Sequence, residues 1–117
     1  MRFHDKESGL VNGQYFELMT NERLSRGEPL SIVILNIANR GLVVENLSRR
    51  DVLFLVQAVV ERLMTKTDHH SLLALLGTGL YGFLLPIGEP RKLEQFVREL
   101  MALFDEPFAL GLSLIHI

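Results

Sequence analysis

Residues 75–86, LLGTGLYGFLLP, are two apolar runs joined through Gly77-Thr78-Gly79, with no charged side chain anywhere in the stretch. Continued outward they become SLLALL (71–76) and LYGFLLPI (80–87), each short, apolar and bounded by turn residues. That pattern predicts two strands of a β-hairpin, the second closed by Pro86. Upstream, LSIVILNI (30–37) is rich in β-branched residues and too short for a lone buried helix, so it is expected to be a central strand covered on both faces. Between these strands, SRRDVLFLVQAVVERLMTK (48–66) puts Val52, Leu53, Leu55, Val56, Val59, Val60, Leu63 and Met64 at helical spacing. Ser48 is placed to cap that helix and Asp51 to favour its first turn.

Two further helices flank this centre. In NGQYFELMTNERLSRGEP (12–29), Tyr15, Phe16, Met19 and Leu24 fall near one helical face, Asn12 is placed to cap or turn the preceding loop, and Gly27 to Pro29 stop the helix. Pro90 suits a first helical position, and Leu93, Phe96, Val97, Leu100, Met101 and Phe104 make an apolar stripe after it. FALGLSLIHI (108–117) alternates and is expected to be the last strand. The order is helix, then β-α-β-β-α-β. This predicts an α+β fold, a ferredoxin-like palm with an extra N-terminal helix and a mainly antiparallel central sheet. In such a sheet the strand order is 4-1-3-2, so Asn36 should sit beside the Gly77-Thr78-Gly79 turn.

Composition bounds the rest. The 117 residues, 48% apolar and 22% charged, suit one domain spanning 1–117. Twelve basic against fourteen acidic residues give a net charge of -2, without the basic excess that a nucleic-acid polymer demands of its partner. The absence of cysteine fits a reducing compartment and excludes thiolate metal sites. No run of about 20 apolar residues suggests a membrane helix. The expected location is the cytoplasm, including the cytoplasmic part of a longer membrane-anchored protein, with no membrane contact by this segment.

Four landmarks now make the sequence resemble a diguanylate cyclase, or GGDEF, domain. ESGLVNGQYF (7–16) resembles the opening TGLxNRxxF of that family, and GEPLSIVILNI (27–37) its strand ending in Asp-x-Asp. GTGLYGFLLP (77–86) resembles GGDEF and the strand that follows, and LGLS (110–113) the late strand ending in Ser-Ile-Gly. The resemblance implies conversion of two GTP molecules to cyclic di-GMP, each half-site holding one GTP and two divalent metals. Mg²⁺ there requires hard anionic oxygens.

Against that pattern this sequence departs throughout. The metal-binding aspartates of the family fall on Asn36 and Ala38, its Asp-Glu pair on Gly79 and Leu80, and its phenylalanine on Tyr81. The base-reading Asn and Asp match Val44 and Leu53, and the inhibitory Arg-x-x-Asp matches Asp68-His69-His70-Ser71. No acidic residue lies between Asp68 and Glu89.

The expectation is therefore a degenerate, catalytically silent GGDEF domain, a regulatory or interaction module in bacterial cyclic di-GMP signalling. It takes no cofactor, whereas active relatives use Mg²⁺ and GTP. The resemblance implies flanking EAL phosphodiesterase or sensor domains, pairing as a homodimer, and GTP as a ligand. Two alternatives stand beside it: an active cyclase with displaced ligands, and an unrelated ferredoxin-like binding module.

Asn36, Gly77, Thr78 and Gly79 are the candidate remnant of the nucleotide site. The hairpin alone can account for the glycines, and a strand-end asparagine can simply satisfy local backbone groups. His69-His70 beside Asp68 invites a metal reading, but adjacent histidines are more simply solvated; His4 and His116 have no partner by spacing, and Arg49-Arg50 read as a solvated helix start. Complete family domains continue beyond the Ser-Ile-Gly strand, so the chain is expected to stop early. The closing LSLIHI (112–117) resembles a translated sequencing adapter, which makes about 113–117 non-native by expectation.

Overall fold

The computed structural model describes residues 3–37, 47–110 and 113–115. The expected helix and β-α-β-β-α part of the order is present, with a strand added before the first helix and two short strands at the end. Strand β1 (Val11–Asn12) leads into helix α1 (Gly13–Ser25), then strand β2 (Ser31–Asn36) and helix α2 (Arg49–Met64). Strands β3 (Leu72–Gly77) and β4 (Leu80–Leu85) form the hairpin, and helix α3 (Pro90–Ala102) follows. A 3-10 turn (Leu103–Asp105) then leads to strands β5 (Phe108–Leu110) and β6 (Ser113–Ile115).

The helix starts were legible because their chemistry is local. The Asn12 side chain accepts from the Tyr15 N–H at the start of α1, and Ser48 accepts from the Asp51 N–H at the start of α2. Pro90 opens α3, where its missing N–H costs nothing.

A four-stranded sheet in the order β1-β3-β4-β2 forms the centre. Strand β4 runs antiparallel to both neighbours, with Phe83 opposite Val33 on one side and Leu73 on the other. On one face of the sheet, Leu55, Val59 and Leu63 of α2 and Leu100 of α3 pack against Leu73, Tyr81, Phe83 and Leu85. On the other, Phe16 of α1 packs with Val11, Ala74 and Leu84. Gly82 lies under this second layer: a Cβ there would stand 2.8 Å from Leu76 Cδ1 and 3.2 Å from Phe16 Cζ. Glycine lets α1 approach the sheet.

Four expectations need correction. Strand β2 is an edge strand among the described residues, not a central one, and Ile32 (46% exposed) and Ile34 (52%) lie uncovered on one face. Its apolarity on both faces reflected β-propensity rather than two-sided burial. The alternating run 108–117 is not one strand: β5 and β6 pair with each other as a separate antiparallel sheet, Leu110 opposite Ser113. A glycine at 111 in that run is a turn signal, although residues 111 and 112 themselves lie outside the described residues. The sheet instead gains β1, parallel to β3, a pairing of two residues too short to show periodicity. Finally, Leu24, Leu53, Met64, Val97 and Met101 are exposed, so each predicted helical stripe is wider than the face actually buried.

Arg62 ties the C-terminal segment to this frame. Its guanidinium donates to the carbonyl oxygens of Leu103 (2.9 Å), Glu106 (2.6 Å) and Pro107 (3.0 Å), and lies 3.5 Å from the centre of the buried Phe108 ring. The planar, forked cation can satisfy several acceptors while stacking on an aromatic face, which a lysine ammonium cannot. Lys66, in the turn just after α2, pairs with Glu99 of α3. Arg62→Ala is expected to lower the unfolding free energy by about 2–3 kcal/mol, the scale of hydrogen bonds to a charged group plus a ring contact. Arg62→Lys should recover only part of it. Urea denaturation of both variants checks this.

Candidate functional site

The hairpin turn is built from Thr78 and Gly79, bracketed by the Gly77–Leu80 pair. Gly79 has φ +68°, in the left-handed region, which strains any residue with a Cβ. Gly77 has no positive φ, and a Cβ added there would meet Leu80 Cβ at 3.7 Å, an ordinary contact. Thus the two glycines, read together in the sequence, are separable: the turn requires Gly79 but does not require Gly77.

Register brings β2 to the same place. Asn36 lies opposite Leu80, and the Ile37 N–H donates to the Gly79 carbonyl at 2.9 Å, extending the ladder past the end of β2 into the turn. Asn36, Gly77, Thr78 and Gly79 are therefore gathered at one end of the sheet, as the strand order required. Thr78 and Asn36 are exposed there, while Gly79 is buried. The Ile37–Gly79 bond has no side-chain signature, and only the register reveals it.

The donor set at this end is neutral. Asn36 offers an amide oxygen, the turn offers backbone groups and a hydroxyl, and Leu80 and the buried Tyr81 follow. Asp68 precedes β3 and Glu89 follows β4, so both belong to the opposite end of the hairpin, a strand length of about 15–20 Å away. Two Mg²⁺ ions need several anionic oxygens at close to 2 Å, and these residues do not fit them. Ala38 and Val44, which the resemblance matches to a metal ligand and a base reader, lie outside the described residues.

Leu53, matched to the other base reader, is placed on the first turns of α2. With Glu7, Arg49, Arg50, Val52 and Val56 it lines a half-open groove of about 570 Å³. Its walls are mainly apolar, and Arg50 leans over the Phe54 ring at 5.4 Å. Nothing in Leu53 can read a base edge by hydrogen bonding.

The Asp68-His69-His70-Ser71 stretch forms a tight turn before β3. The Asp68 carboxylate accepts from the His70 N–H (2.8 Å) and the Ser71 hydroxyl (3.1 Å), and the His70 carbonyl accepts from Arg23 of α1 (2.8 Å). The His70 backbone bond, then the Ser71 hydroxyl, hold the Asp68 carboxyl below its ordinary range. The His69 and His70 rings lie 3.9 Å apart, both residues exposed. Among the described residues no three His, Cys, Asp or Glu side chains gather where a metal could be held.

No protein-family model matches the sequence, and no curated protein is significantly similar to it. Solved structures are similar in fold. An N-terminally truncated mutant comprising only the GGDEF domain of TpbB, or YfiN, from Pseudomonas aeruginosa superposes with a TM-score of 0.86 at 18% identity, covering 97% of this chain and 69% of that one. A diguanylate cyclase/phosphodiesterase from Caldicellulosiruptor saccharolyticus gives 0.87 at 14% identity, again over 97% and 69%. A sensory box/GGDEF family protein from Caulobacter crescentus gives 0.84 at 16% identity, over 98% and 78%. The chain has the palm fold of GGDEF domains. None of its described helices is long and apolar enough to cross a membrane.

Two outcomes follow from this geometry. Gly79→Ala should destabilise by about 1–2 kcal/mol through its left-handed backbone, whereas Gly77→Ala should be neutral or stabilising by up to about 1 kcal/mol; thermal unfolding of the pair separates them. For Asp68, a depressed carboxyl contributes stability above its ordinary range and loses it as pH falls through the folded value. Wild type should accordingly lose more stability than Asp68→Asn between about pH 7 and about pH 3, read by urea titration at each pH.

Proposed function

We propose that this chain is a degenerate GGDEF domain without cyclase activity, serving as a regulatory or interaction module in cyclic di-GMP signalling. One observation carries the reading: the end of β2 and the hairpin turn are held in contact by the Ile37–Gly79 hydrogen bond, while Asn36, Gly79 and Leu80 present no carboxylate there. In-line attack on a triphosphate needs metal-stabilised charge, and a neutral site cannot recruit it. The fold is shared with a solved GGDEF domain and with a diguanylate cyclase/phosphodiesterase.

The turn presents an exposed Thr78 between two glycines beside Asn36, so GTP bound weakly and without metal is the ligand this reading favours. Regulation would then run through contact with an EAL or sensor domain, or a second copy, in the cytoplasm. A ligand or partner that favours one arrangement shifts the population towards it.

Purified protein incubated with GTP and either Mg²⁺ or Mn²⁺ should yield no cyclic di-GMP by chromatography, and measurable turnover would overturn the proposal. The double substitution Asn36→Asp with Leu80→Glu should raise Mg²⁺-dependent GTP affinity by about tenfold or more in calorimetry, because it returns two anionic ligands to a preserved end of the sheet. No gain, with the variant still folded by circular dichroism, would mean that the site has lost its shape as well as its charge.

A further inference from the structure

We draw no further inference here: the strongest candidate, the outer edge of the uncharged strand β2 with Ile32 and Ile34 exposed beside it, is an apolar face unpartnered among the described residues, and nothing in the structure shows what covers it.

Discussion

Strand β4 is buried from Tyr81 to Leu85, and the rest of the molecule is arranged to make that possible. Tyr81, Phe83 and Leu85 point into the layer beneath α2 and α3, while Leu84 meets the layer beneath α1. Both backbone edges are paired, to β2 and to β3, because an unpaired peptide group in such surroundings would cost as much as a lost hydrogen bond. With Phe83 and Leu84 fully buried, each contributes on the order of 1.5–3 kcal/mol from apolar burial. A slip of one residue would exchange the two faces of the strand. The register that protects β4 also delivers Asn36 to Leu80, so the geometry of the candidate site is a by-product of core packing.

This explains how the site end of the sheet can keep its shape without ionic ligands. In a metal site, ligand geometry is imposed by the cation as well as by the chain. Here the Ile37–Gly79 backbone bond and the buried side chains of β4 hold the approach of strand and turn. Gly79 and Leu80 bring no anionic charge to this end of the sheet, so no mutual repulsion among carboxylates opposes the approach of strand and turn there.

What the sequence disclosed was local chemistry. Ser48 with Asp51, Asn12, Pro90 and the Thr78-Gly79 turn each announce themselves within a few residues, and their elements begin or reverse where they indicate. Position within the sheet was less visible. Ile32 and Ile34 have the composition of a buried strand, yet they stand at the edge of the sheet where the layer under α1 does not reach them, and β5 pairs with β6 rather than joining the sheet. Arg62 looked like one charge on a helix, since the carbonyls of Leu103, Glu106 and Pro107 that it serves lie about forty residues onward. At this end of the sheet, the residue identities show at once that Asn36, Gly77, Thr78 and Gly79 carry no charge, but the different demands on Gly77 and Gly79 depend on φ.

Gly82 carries a consequence for how this chain can vary. Its bare Cα is covered by Leu76 and Phe16, one from the neighbouring strand and one from α1. Position 82 can therefore accept a methyl group only if the end of the Leu76 side chain and the Phe16 ring shift or become smaller. The three sites constitute a single volume shared among strand, strand and helix. Substitutions there should be strongly non-additive, with an alanine that is harmful alone becoming harmless in a background that has already made room.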